Sequence, residues 1–322
     1  MALVPNTRPA RWPDIPPDRF ARLIRSDSPE GCRVALLGLP DDLGVRLNQG
    51  RPGACVGPDA FRAALARFGC PFDARSDTAL PAVVFDAGDV VPAPADTEPA
   101  LRETHDRVSQ AVLALHRAGL ITVCVGGGHD LSFPAIRALA SHAGGMVGGV
   151  SVDAHLDVRE TAGSGMPFRA LIDARHLDPR RFTVLGAGRF TNARRHVEYL
   201  RSRSASIVTI DEALEAARSA DAALARAGAP AFVSIDLDAI DGSHAPGVSA
   251  VNPMGFDPRS VCEFARRAGA SAGVRHFDLV ELSPPHDEPP WDDTQRTPGR
   301  TARVAALLLL HFLSGLAERP AP

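Results

Sequence analysis

Residues 149–157 read Gly-Val-Ser-Val-Asp-Ala-His-Leu-Asp, a small-residue and apolar run that ends in two carboxylates and an imidazole. Gly149–Asp153 does not alternate with charged residues, which is the pattern of a strand covered on both faces in a parallel sheet. Asp153, His155 and Asp157 stand at i, i+2 and i+4, so an extended backbone points all three the same way. Two further runs repeat the design. Ile121–Val125 leads into Gly126-Gly127-Gly128-His129-Asp130, and Phe232–Ile235 leads into Asp236-Leu237-Asp238. In open parallel sheets, ligands gather beyond the carboxyl ends of the strands. All three runs deliver their polar residues there.

Working outward, the same kind of apolar run appears at Val34–Leu37, Val83–Phe85, Thr183–Leu185, Ile207–Ile210 and Phe277–Glu281. Helical patterns lie between. In Arg107–Arg117, Val108, Ala111, Val112 and Leu115 form one apolar face. Asp211–Ala227 is rich in Ala, Leu, Glu and Arg, which favour helix. Alternating strand and helix predicts an α/β fold of three layers, α/β/α, around a mainly parallel sheet of about eight strands. No linker or repeat divides the chain. Residues 31–318 read as a single domain, and residues 1–30 as an N-terminal extension broken by Pro5, Pro9, Pro13, Pro16 and Pro17.

Composition excludes several classes. The chain has 322 residues, a size that a single large α/β domain accommodates, and 45% of them are hydrophobic. A formal net charge of −3 gives no electrostatic footprint for nucleic acid or an anionic membrane. Cys32, Cys55, Cys70, Cys124 and Cys262 show no C-x-x-C spacing and read as reduced thiols, Cys124 as a buried small hydrophobe. The N-terminal stretch lacks the apolar core of a secretory signal. Val304–Leu310 is too short to span a bilayer and reads as a buried helix. A cytoplasmic protein is expected.

The three strand ends bring four carboxylates and two imidazoles to one place. Unpaired, the carboxylates would repel and resist ionisation. Two divalent cations remove that conflict, and oxygen and imidazole donors without thiolate suit Mn²⁺. A metal pair roughly 3.5 Å apart can activate water at neutral pH. A lone Gly-rich turn binds nothing in most proteins, and a lone D-x-D is common on surfaces. D-x-H-x-D directly after an apolar strand is far rarer, and the three together read as a site. No Lys-Ser/Thr follows Gly126–Gly128, which excludes a phosphate loop.

With these motifs, GGGHD, SVDAHLD and SIDLDAID, the chain resembles the ureohydrolase family of arginases, agmatinases and formimidoylglutamases, from about Val34 to Leu313. The resemblance implies an arginase-like fold, assembly into trimers or hexamers, and two Mn²⁺ ions per subunit. It assigns His129, Asp153, Asp157 and Asp236 to one ion and Asp153, His155, Asp236 and Asp238 to the other. Four segments are similar to the formimidoylglutamase branch: GLPDDLGVRLNQGRPGACVGP (38–58), GGGHD (126–130), HAPGVSAVNP (244–253), and FDLVELSPPHD (277–287) with RTARVAALLL (300–309). Ser164 stands where arginases and agmatinases place a proton-shuttling histidine. Asp130 replaces the glutamate expected in much of the formimidoylglutamase branch.

The reaction so implied is hydrolysis of N-formimidoyl-L-glutamate to L-glutamate and formamide, a step of histidine degradation. Asp157 is expected to relay a proton to the departing amine, and Glu281 to hold the formimidoyl nitrogens. Arg159 is the first choice to grip a substrate carboxylate. Arg51, Arg169, Asn48 and Ser164 are further candidates for substrate contacts. His244 and His286 are expected near the pocket. His105, His116, His142, His176, His196 and His311 read as structural. Asp287–Asp293 reads as a surface loop. Two other readings compete. One is an agmatinase or another guanidino-acid hydrolase, which would release urea. The other is a metal-free binding protein of the same fold.

Overall fold

The computed structural model describes residues 4–69, 72–75, 77–80, 83–213 and 217–319. Cys70 lies outside the described residues, as does part of the predicted helix Asp211–Ala227, whose described portions Ile210–Ala213 and Ala217–Ala227 are helical.

A nine-stranded sheet forms the middle layer. Its strands are β1 (Thr7–Arg8), β2 (Val34–Gly38), β3 (Val84–Val90), β4 (Ile121–Val125), β5 (Val147–Val152), β6 (Leu177–Ala187), β7 (Ser206–Thr209), β8 (Ala231–Asp236) and β9 (Val274–Val280). Their spatial order is β1-β3-β2-β4-β9-β8-β5-β6-β7. Every neighbouring pair is parallel except β1 with β3. The eight parallel strands are those the apolar runs predict. Both faces are covered, so β2, β4, β5 and β8 are buried at every residue.

The ninth strand comes from the stretch read as an extension. Thr7 and Arg8 pair with Val90 and Asp89 of β3. Further on, Arg25 bridges Phe85 of the same strand. Phe20 is buried in the main core and Trp12 packs against it. Residues 4–25 are therefore part of the domain rather than a tail.

The helices that sandwich the sheet are set by caps and apolar faces. Glu98–Arg117 begins at Thr97, whose side chain accepts from Ala100 N–H, and buries Leu101, Val108, Ala111, Val112 and Leu115. The last helix, Arg300–Ala317, is the one described helix long and apolar enough to cross a membrane, and 61% of it is buried inside the domain. Its start corrects the surface-loop reading of Asp287. That carboxylate is 2% exposed and accepts from Thr301 N–H, Thr301 Oγ1 and Ala302 N–H, which caps the helix.

A second feature on the β3 side is a buried ion-pair network. Arg62, from the helix Gly57–Leu65, donates to both Asp86 oxygens at 2.9 Å and to Asp89 Oδ1 at 2.6 Å. Trp12 Nε1 completes Asp86 with a 2.7 Å bond.

Candidate metal centre and its cavity

The carboxyl ends of β4, β5 and β8 converge. Between β4 and His129 the chain must cross the loop after β2 closely. A Cβ on Gly127 would lie 2.6 Å from Leu39 O, and its φ of +47° is a left-handed value that glycine adopts freely. The turn then enters a short 3₁₀ segment, His129–Leu131, which places the His129 ring over the ends of β5 and β8.

His129, Asp153, Asp157 and Asp236 each offer a ligand atom, all within 4.8 Å of one another, and Asp153, His155 and Asp238 form a second such group. His129 Nδ1 lies 3.3, 2.9 and 3.2 Å from Oδ2 of Asp153, Asp157 and Asp236. His155 Nδ1 lies 3.1 Å from Asp238 Oδ2 and 3.5 Å from Asp153 Oδ1. Asp236 falls only in the first group. Its Oδ1 is turned back to accept from Asp238 N–H at 2.8 Å.

Three buried atoms here make no hydrogen bond: His129 Nδ1, Asp153 Oδ2 and Asp238 Oδ1. Leaving such atoms unpaired in a folded interior is costly. Burial, and then Asp238 and Asp153, push Asp236 well above the ordinary carboxylate range. Burial pushes Asp238 up to about 6 against the pull of His155. Burial disfavours a charged His129, but the closeness of the Asp153, Asp157 and Asp236 carboxylates outweighs it and raises the ring's affinity for a proton. Asp238 does the same for His155 against burial. The cluster thus gathers positive charge at the two ring nitrogens. Orphaned nitrogen and oxygen donors without thiolate, crowded by unrelieved negative charge, fit a pair of divalent cations.

Behind the cluster, Glu281 is 3% exposed and holds a φ of +62°, which turns its carboxyl group back toward β4. It accepts from His129 N–H at 2.8 Å and from the Ser249 hydroxyl. Burial, then Asp236, pushes it up to about 8.

His155 and Asp157 open onto a cavity of about 580 Å³, whose walls include Arg159, Glu160, Thr161, Asn192, Arg195 and His196. Arg159 is one of the cavity walls. Its stem packs on Gly165, where a Cβ would meet Arg159 Cδ at 2.8 Å. Neither Arg159 nor Arg195 has an ion-pair partner among the described residues. Burial, then Arg195 and Arg159, lower the pKa of His196. The cavity thus carries two guanidinium groups alongside Asp157 and Glu160.

The other candidates are engaged elsewhere. Arg51 donates to the carbonyls of Val248 and Ser249. Arg169 pairs with Glu160 and Asp173, at 3.2 and 3.4 Å, and lies over the Tyr199 ring. Asn48 reaches Ser164 Oγ at 3.1 Å, and its amide oxygen, turned to this loop, accepts from Gly165 N–H at 2.7 Å. Asn48 and Ser164 thus fasten the loop that carries Gly165. His286 binds Pro52 O, and neither it nor His244 is among the cavity walls.

Arg195 escapes the sequence reading, and His196 reads there as structural although it lines the cavity, because both sit in an Arg-rich helix start that looks like an ordinary solvated face. Ser234, Asp278, His276 and Thr122 also escape it. They are fully buried polar residues inside otherwise apolar strands, and that interruption is their signal.

A sequence profile of the arginase family matches residues 32–315. A formimidoylglutamase of Halobacterium salinarum is 36% identical over 292 residues, covering 88% of this chain and 87% of that protein. A mitochondrial guanidino acid hydrolase of Homo sapiens is 31% identical over 306 residues, covering 92% and 81%. The crystal structure of Trypanosoma cruzi formiminoglutamase with Mn²⁺ superposes with a TM-score of 0.84 at 29% identity, over 95% of this chain and all of that one.

Proposed function

The chain belongs to the arginase family, and from that premise we propose that it hydrolyses N-formimidoyl-L-glutamate to L-glutamate and formamide with two Mn²⁺ ions per subunit. The observation that carries this reading is the junction at His155 and Asp157. There, a cluster of orphaned buried donors opens onto a cavity bearing Arg159 and Arg195, neither of which has an ion-pair partner among the described residues.

In this reading His129, Asp153, Asp157 and Asp236 hold one ion, and Asp153, His155, Asp236 and Asp238 the other. Bound there, the ions supply the Lewis acidity that makes water nucleophilic at neutral pH. The protein contributes orientation and proton handling. Hydrolysis moves a proton from water to the departing amine nitrogen as the C–N bond breaks. Asp157 lies between cluster and cavity, so its carboxylate accepts that proton and returns it to the amine.

Substrate specificity follows from the cavity. N-formimidoyl-L-glutamate carries two carboxylates, and Arg159 and Arg195 offer two charge-assisted grips for them. Glu281 is assigned the formimidoyl nitrogens, met by oxygens that His129 N–H and Ser249 hold in place. Loop 163–167 does a different job from the one a histidine would do at position 164. It carries no titratable side chain, and it holds Gly165 under the stem of Arg159. A homo-oligomeric, cytoplasmic enzyme completes the reading.

The test is a product assay on Mn²⁺-loaded enzyme given N-formimidoyl-L-glutamate, with agmatine and arginine in parallel. Formamide and glutamate from the first substrate alone are expected. Urea from agmatine or arginine, with formimidoylglutamate untouched, would overturn the substrate while keeping the metal chemistry.

A further inference from the structure

We propose that Asp278, acting through Ser234, is a positioning residue that fixes the tautomer and orientation of His129, and that His276 and Thr122 hold Asp278 in that role. The inference rests on the reading of His129 as a Mn²⁺ ligand.

The groups form one continuous hydrogen-bonded line across three adjacent strands. His129 Nε2 lies 3.0 Å from Ser234 Oγ. The Ser234 hydroxyl donates to Asp278 Oδ1. Asp278 Oδ2 is 3.0 Å from His276 Nε2, and His276 Nδ1 is 2.7 Å from Thr122 Oγ1. All five side chains are 0% exposed. Register alone creates two of the links, because Ser234 on β8 is directly opposite Asp278 on β9, and His276 is directly opposite Thr122 on β4.

A sheet covered on both faces has no structural need for these groups. Valine would fill the same positions without the cost of burying polar side chains. What they can do follows from donor counting. His129 Nδ1 faces three carboxylate oxygens, and as a metal ligand it must present a lone pair, so the ring proton belongs on Nε2. Asp278 as a carboxylate only accepts, so the Ser234 hydroxyl must spend its hydrogen on Asp278. That leaves a Ser234 lone pair for His129 Nε2–H. His276 gives its own Nε2–H to the other Asp278 oxygen, and the Thr122 hydroxyl donates to His276 Nδ1. Every hydrogen of the line then has one place, and the lone pairs that remain on Ser234 Oγ and Thr122 Oγ1 face Ser132 Oγ and His116 Nε2, each 3.4 Å away. Partners of this kind orient ligating imidazoles and raise their basicity.

The experiment measures Mn²⁺ binding to metal-free full-length protein by calorimetry and elemental analysis, together with urea unfolding of each metal-free variant. The variants are Ser234→Ala, Ser234→Thr and Asp278→Asn. Wild type is expected to take two Mn²⁺ per subunit. In Ser234→Ala and Asp278→Asn, one of the two equivalents should weaken about 10- to 100-fold, and Ser234→Thr, which keeps the hydroxyl, should recover most of that loss. If Asp278→Asn does not fold, Ser234→Ala decides, since it removes a single oxygen. Both variants binding two Mn²⁺ with wild-type affinity would overturn the proposal, even where urea stability falls, because that is the mark of a purely structural network. Wild type binding no Mn²⁺ would instead overturn the metal-site reading on which the proposal rests.

Discussion

Two of the charged clusters buried among the described residues solve the same electrostatic problem in opposite ways. At Arg62, Asp86 and Asp89, one guanidinium meets two carboxylates through three bonds of 2.6–2.9 Å, and Trp12 adds a fourth donor. Burial would lower the arginine's proton affinity, but Asp86 and Asp89 more than reverse this. Nothing is left over for a ligand. At the carboxyl ends of β4, β5 and β8, four carboxylates crowd two imidazoles, and His129 Nδ1, Asp153 Oδ2 and Asp238 Oδ1 stay unpaired. A closed network stabilises a fold, whereas an open one is shaped for something that arrives later. Burial and charge alone do not separate these two clusters. Satisfaction of their polar atoms does.

The largest effect that would break this contrast comes from Asp236→Asn. A fall in kcat/KM of about 1000-fold or more is expected, with fewer than two Mn²⁺ per subunit by elemental analysis. Metal-free stability in urea should hold or rise, because a carboxylate repelled by Asp238 and Asp153 has been neutralised. Full metal content and retained activity would put the open cluster in the same class as the closed one.

Next comes Arg62→Met, which strands two buried carboxylates. Urea unfolding should show a loss of about 3–5 kcal/mol, while the folded fraction keeps its Mn²⁺. A loss below about 1 kcal/mol would mean that the closed network contributes little to the fold.

The smallest effect sharpens the boundary between cluster and cavity. Arg159→Ala should raise KM for the dicarboxylate substrate about 10- to 100-fold, the worth of one charge-assisted pair, with metal content unchanged. An unaltered KM would remove Arg159 from substrate recognition.

Much of this is legible in the amino-acid sequence. The eight parallel strands are readable because a strand buried on both faces must be apolar throughout, and the cluster is readable because acidic and imidazole residues follow three such strands. The extended backbone expected to align them is not what converges them, since the chain bends at Ala154–His155, Asp157 has a φ of +47° and Leu237–Ala239 is a 3₁₀ turn. What escaped has equally physical reasons. Thr7 and Arg8 form a two-residue strand among prolines, too short for any period. Arg159 and Arg195 line one cavity only because the loop after β5 and the start of the helix Arg194–Ser202 come to the same place. Arg51 carried the same appearance of availability as Arg159, yet a surface guanidinium bonded to backbone carbonyls cannot be told from a free one without knowing which loop passes by. Asp287 read as solvated because nothing nearby in sequence announces that the first turn of a helix thirteen residues later will sit on it.

Residues 4–25 clasp β3 at Thr7–Arg8 and again at Arg25. Without that clasp, the outer rim of Val84–Val90 would present a row of free amides and carbonyls, a template on which a second chain could add a strand. The proline-rich lead-in is thus a guard against self-association. Trimming it for expression would trade a few tidy residues for an aggregation-prone edge.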